Sequence, residues 1–248
     1  MPLECRRLTK SFGGVRALSD VSIRFPDQGI VAVIGANGAG KTTLIDTLTG
    51  IVIPDDGQWL LNGRDITGFS TEKVARMGIA RSFQGIRLLP EESVIDNIAL
   101  AVPDRGAETL LAALLHFRTS TRRAPVVREA ERFVSLAGLK EQGSDPVKSL
   151  AYGDQKLVSA VVTAATGARI LLLDEPLAGV HGDGVKRIIA FARQLASSGR
   201  LVVFIEHDLA AVRQLAEITV MMDHGTVLAI GPTEEILERK DLLEVYLG

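Results

Sequence analysis

One cysteine, Cys5, is present among the 248 residues. A lone thiol excludes an internal disulfide framework and suits a reducing compartment. Neither sign of charge is in excess: 28 Lys and Arg oppose 30 Asp and Glu, for a formal net charge of −2. That balance argues against a dominant nucleic-acid surface and leaves room only for a local basic patch. The charged N-terminus, Met1–Lys10, has no apolar h-region, so no secretory signal is read there. A long uninterrupted hydrophobic run is lacking too. Leu157 to Leu173 is largely apolar, but Arg169 interrupts it and Asp174-Glu175 follow at once. A membrane span needs about 20 predominantly apolar residues, so this stretch is expected to form a buried helix, a turn at Gly167 and a short strand. Internal repeats and low-complexity tracts are also missing. What is there, at 46% hydrophobic and 23% charged, is a globular composition.

Four short Val, Ile and Leu runs punctuate the chain: Ile30–Ile34, Ile170–Leu173, Leu201–Ile205 and Ile218–Met222. Runs of this kind suit strands buried on both faces. Helical patterns separate them, at Gly184–Ala196 and Leu209–Ala216, which predicts a parallel α/β sheet. Leu3–Phe25 alternates in strand fashion around Gly13-Gly14, and His224-Gly225 separates two β-rich pieces as in a hairpin. Between Glu91 and Lys148 no strand-like run occurs. Helical patches are expected at Val94–Val102, Ala107–Phe117 and Val126–Ala137. Arg118–Arg128 is basic, contains Pro125, and reads as an exposed connection between helices.

Gly35-Ala36-Asn37-Gly38-Ala39-Gly40-Lys41-Thr42-Thr43 fits G-x-x-x-x-G-K-[ST] between an apolar strand and a helical segment, Thr42–Leu48. Glycines let the backbone approach phosphate oxygens, and amide N–H groups at a helix N-terminus hold the negative charge. In such a loop Lys41 reaches the β- and γ-phosphates and the Thr42 hydroxyl ligates Mg²⁺. The pattern therefore predicts a nucleoside triphosphate site. Ile170–Glu175 is a second phosphate-site element: a buried strand ending in Asp174 can place a carboxylate near Mg²⁺. Glu175 can then orient the attacking water. Gln84 and Phe12 are ambiguous taken singly, as surface and sheet residues respectively. His207, after Leu201–Ile205, sits where a residue can face the ligand crevice of an α/β sheet or simply make a turn.

Taken together and in order, these elements resemble the nucleotide-binding domain of an ABC transporter along almost the whole chain. The resemblance implies a P-loop α/β core with an antiparallel β subdomain and an inserted α-helical subdomain. All of 1–248 would be one such domain, with 1–84 and 165–248 as core and 85–164 as the helical part. It implies that Phe12 stacks on adenine and that Gly35, Asn37, Gly38, Ala39, Gly40, Lys41, Thr42 and Thr43 form Walker A. Gln84 takes the Q-loop position, contacting Mg²⁺ and the membrane partner. Leu150-Ala151-Tyr152-Gly153-Asp154-Gln155 stands at the signature motif, where Ala151 and Gly153 would meet a partner's ATP. Asp174 would be the Walker B metal ligand, Glu175 the catalytic carboxylate, Pro176–His181 the D-loop and His207 the switch histidine.

The LAYG form of the signature is similar to that of branched-chain amino-acid uptake ATPases, as are Arg81–Gln84, Val94–Ile98 and the ending Glu244–Gly248. Urea and short-amide importers share this look. The resemblance implies an ATP- and Mg²⁺-dependent ATPase at the cytoplasmic face of the inner membrane. Its partners would be a second ATPase subunit, permease subunits and, indirectly, a solute-binding protein, with no nucleic acid. A lipid-exporter ATPase, a soluble ABC ATPase of DNA repair or translation, and a silenced structural subunit are the rival readings. Four positions depart from the family pattern: Ala151, Asp154, Val162 and His181. Asp154 either repels the phosphate of a partner's ATP or sits in the first turn of the following helix, where the macrodipole favours an acid.

Overall fold

A computed structural model of the chain describes residues 2–82, 85–103 and 123–247. Among them the chain builds two sheets. The first holds β1 (Leu3–Phe12), β2 (Val15–Arg24), β4 (Asp56–Leu61) and β5 (Arg64–Asp65) in the order β2-β1-β4-β5. Its pairs are antiparallel. The second is ordered β10-β9-β3-β8-β7-β6, from β3 (Gly29–Ile34), β6 (Ile79–Arg81), β7 (Ile170–Asp174), β8 (Leu201–Ile205), β9 (Ile218–Asp223) and β10 (Thr226–Pro232). All of its pairs are parallel except β9 with β10.

Side-chain alternation along the central strands explains their unbroken apolar sequences. Ile30, Ala32, Ile34, Leu171, Leu173, Val202 and Phe204 join one core cluster, which contains the helices of the middle region. Val31, Val33, Ile170, Leu172, Leu201, Val203 and Ile205 join another, shared with α1 (Lys41–Leu48) and the antiparallel sheet. With period two and both faces covered, every position must be apolar.

Both anticipated hairpins form with two-residue turns. Gly13-Gly14 has φ of +52° and +88° between paired Phe12 and Val15, and His224-Gly225 has +43° and +77° between Asp223 and Thr226. Positive φ at both turn positions matches the right-handed strand twist. Short elements escaped the sequence patterns. They are β4 to β6, α2 (Thr71–Arg76) and two C-terminal helices, α8 (Thr233–Glu238) and α9 (Lys240–Leu247).

The middle region carries α3 (Val94–Ala99), α4 (Arg123–Leu136) and α5 (Tyr152–Ala165), followed after β7 by α6 (Asp183–Ser197) and after β8 by α7 (Leu209–Leu215). Two expectations need correction. The helix from Val94 stops at Ala99 rather than Val102, and Pro103 follows closely, which disfavours helical geometry just before it. Arg123–Arg128 is helix, not connection: Pro125 occupies the first turn of α4, where its missing N–H costs nothing. The expected Ala107–Phe117 helix lies outside the described residues. Among the described residues, no helix is long and apolar enough to cross a membrane.

Candidate nucleotide site

The glycine loop lies between the end of β3 and the start of α1, with its shape imposed from behind. A Cβ on Gly35 would stand 2.3 Å from the Met222 carbonyl oxygen, and one on Gly40 2.4 Å from that of Ala17. Gly40 also has φ +96°, which a side chain would strain. Ala39 is buried beneath the loop, whereas Asn37 and Gly38 face outward and a Cβ on Gly38 would meet nothing. The first N–H groups of α1 have no intrahelical partner, so this open backbone fits a phosphate chain. Lys41 folds over the loop, its Nζ donating to the carbonyls of Gly35 at 2.7 Å and Ala36 at 2.9 Å. Burial lowers its pKa, and the nearby charges of Glu175 and Asp174 oppose that shift. Thr42 is exposed and Thr43 half-buried in the same first turn.

The end of β7 supplies the carboxylates. Asp174 is buried, and its Oδ2 accepts from Arg81 Nη2 at 2.8 Å. Arg81 also pairs with Asp46 of α1. Its guanidinium therefore ties the end of β6 to both phosphate-site elements. The Asp174 N–H donates to Ser82 Oγ at 3.1 Å, adding a second tie. Glu175 follows in the left-handed region, φ +47°, which costs a non-glycine residue on the order of 1 kcal/mol. Its backbone is held from both sides, N–H to the Ile205 carbonyl at 3.1 Å and carbonyl from Lys156 Nζ at 3.2 Å. That conformation sends the carboxylate towards the end of β8, where Oε1 lies 3.9 Å from His207 Nδ1.

His207 is mounted by its neighbours. Glu206 is buried, and its Oε1 accepts from the Leu177 N–H at 2.9 Å, joining the end of β8 to Pro176–His181. Burial raises the Glu206 pKa above the usual carboxylate value. From α9, the Tyr246 hydroxyl donates to the His207 carbonyl at 2.6 Å. A cavity of about 170 Å³ opens between these parts, lined among others by Leu177, His181, Glu206, His207 and Asp208.

Lys41, Asp174, Glu175 and His207 thus converge on one crevice at the carboxyl ends of β3, β7 and β8, where ligands of open α/β sheets bind. Phe12 ends β1, is about half exposed, and has Lys10 Nζ 5.5 Å from its ring centre. Ala151 and Gly153 lie at the start of α5. Ala151 is the exposed N-cap of α5 and gives no side-chain cap bond. Gly153 packs against Val180 and Gly184 near the start of α6. Gln84 lies outside the described residues. Arg81, Asp46, Lys156, Glu206 and Tyr246 went unpredicted, since each acts through a contact between distant segments.

Comparison with known proteins supplies the family. The model described as "ABC transporter" matches residues 18–178. The chain belongs to the ABC transporter family. The high-affinity branched-chain amino acid transport ATP-binding protein BraF of Pseudomonas aeruginosa is 34% identical over 250 residues, spanning 99% of this chain and 97% of the relative. The high-affinity branched-chain amino acid transport ATP-binding protein LivG of Escherichia coli K12 is 34% identical over 249 residues, again 99% and 97%. Among solved structures, the ADP conformation of MJ1267, an ATP-binding cassette of an ABC transporter, superimposes with a TM-score of 0.86 at 27% identity, covering 100% of this chain and 99% of that one. The protein is therefore an ABC ATPase subunit, and the two sheets and helices above are the P-loop ABC ATPase fold.

Proposed function

We propose that this ABC ATPase subunit powers uptake of branched-chain amino acids. What supports the solute most is similarity over the full length to BraF and LivG together with the LAYG form at Leu150–Gly153. What supports the site assignment is the convergence of Lys41, Asp174, Glu175 and His207 on one crevice. In this proposal Gly35, Asn37, Gly38, Ala39, Gly40, Lys41, Thr42 and Thr43 cradle the phosphates of ATP, and Phe12 meets the adenine. Thr42, Asp174 and Gln84 hold Mg²⁺, which would neutralise charge on the phosphates. One carboxylate with phosphates and waters suits this ion, which seldom uses an all-protein cage.

Glu175 orients and polarises the attacking water, and His207 contacts the γ-phosphate. Lys41 exchanges its two loop carbonyls for phosphate oxygens, so its charge is already aimed before ligand arrives. Such preorganised electrostatics dominate phosphoryl transfer. Ala151 and Gly153 serve the ATP of a second ATPase subunit. The region around Gln84 to Asn97 receives a coupling helix of permease subunits fed by a solute-binding protein, at the cytoplasmic face of the inner membrane. Nucleic acid has no part.

The test is transport. The ATPase is reconstituted with its co-purifying permease subunits in vesicles, with binding protein supplied outside. ATP-dependent leucine uptake that disappears with Lys41→Ala is the expected result. Uptake of urea or short amides without leucine would overturn the choice of solute.

A further inference from the structure

Asp154 is the departure from the family pattern that adds a carboxylate, and the structure shows where that charge goes. It occupies the first turn of α5, but its carboxylate does not face solvent. The residue is buried, and Oδ1 lies 2.6 Å from Arg187 Nη2 on α6. This is a charge contact rather than an aligned hydrogen bond, since Asp154 Oδ1 and Arg187 Nε have no hydrogen-bond partner. The neighbouring acid on α6, Asp183, has its own cation in Lys186 at 2.9 Å. Beneath the ion pair the two helices meet through glycines, a Cβ on Gly153 falling 3.4 Å from the Gly184 Cα and the reverse also 3.4 Å. Val180 of the D-loop wedges beside both, 3.1 Å and 2.8 Å from those positions.

We infer that Arg187 is a positioning residue for the signature motif: it neutralises Asp154 and locks the first turn of α5 onto α6 and the D-loop. This deepens the proposed function and rests on its placement of Leu150–Gln155 against a second subunit's ATP. A macrodipole preference alone is weak and does not explain a buried carboxylate. A buried carboxylate requires a partner. With Arg187 in place, the signature presents backbone N–H groups and little net charge to an anion. Without it, an unpaired negative charge would stand one residue from Gly153 and repel phosphate. Asp154 and Arg187 therefore act as one substitution, and the signature stays competent despite its carboxylate.

The test uses the complete transporter complex and ATP turnover at low and high ionic strength. Arg187→Ala is expected to lower turnover at least tenfold and to raise KM for ATP, with the deficit shrinking in 0.5 M salt, because screening relieves repulsion. Adding Asp154→Asn to Arg187→Ala should recover most of the loss, and Arg187→Lys should retain most of the activity. Thermal midpoints of all variants separate misfolding from repulsion. Turnover of Arg187→Ala equal to wild type would overturn the inference. So would a loss that neither salt nor Asp154→Asn relieves. A wild-type complex without ATP turnover would instead sink the proposed function, and this inference with it.

Discussion

The crevice at the ends of β3, β7 and β8 and the signature turn of α5 have been treated differently by sequence change. In the crevice Lys41, Asp174, Glu175 and His207 all keep the types that family resemblance implies. On the signature side Ala151 and Asp154 both depart from it. The physical tasks differ. The crevice depends on side-chain charges and on glycines backed against carbonyl oxygens of Met222 and Ala17, where any other residue collides. The signature side depends chiefly on backbone at a helix start, and its altered charge is matched by Arg187. Backbone geometry tolerates side-chain substitution as long as no net charge is left over.

The sharpest way to break that comparison is to strike the crevice. Lys41→Ala should weaken ATP binding at least a hundredfold in equilibrium titration, because it removes the cation already aimed across the loop. A loss under tenfold would mean that the backbone alone holds the phosphates. Arg81→Ala comes next. It leaves buried Asp174 and half-buried Asp46 without their shared cation, and stranding buried charges of this kind costs roughly 3 kcal/mol. Urea denaturation should show it, with Arg81→Lys recovering only part, since one ammonium cannot reproduce the planar fork.

Smaller effects sharpen the contrast. Glu206 has a folded pKa raised by burial, so the folded state binds its proton more tightly than the unfolded chain. Stability from this group is therefore fully present below pH about 4.5, its ordinary value, and declines as pH rises through the folded pKa. Glu206→Gln should flatten the stability profile across that window relative to wild type. A variant profile parallel to wild type would assign the slope elsewhere. Smallest is Tyr246→Phe, which removes the hydroxyl from the His207 carbonyl. One hydrogen bond is worth about 1 kcal/mol. Turnover should fall a few-fold with ATP affinity unchanged, and equal falls in both would deny a role confined to the switch.

Much of this was legible in the sequence. The unbroken apolar runs of β3, β7 and β8, and the largely apolar run of β9, announced buried parallel strands, and the glycine–lysine loop announced itself by spacing alone. Elements of two or three residues, β5 and β6, have too little pattern to register, yet β6 carries Arg81. Pro125 argued for a break because proline is read as punctuation, but the first turn of a helix accepts it. The mounts of the site were illegible for a different reason. Arg81 to Asp174, Lys156 to Glu175 and Tyr246 to His207 join residues far apart in the chain, and no local pattern encodes their meeting. Asp154 was ambiguous for the same reason: its partner lies in another helix.

The most direct measurement is ATP turnover by the chain with its membrane partners, compared with Glu175→Gln. The account predicts turnover that rises with the partners and disappears in the variant while ATP still binds. Turnover unchanged by Glu175→Gln would contradict it, placing hydrolysis on another subunit and leaving this crevice a binding site alone.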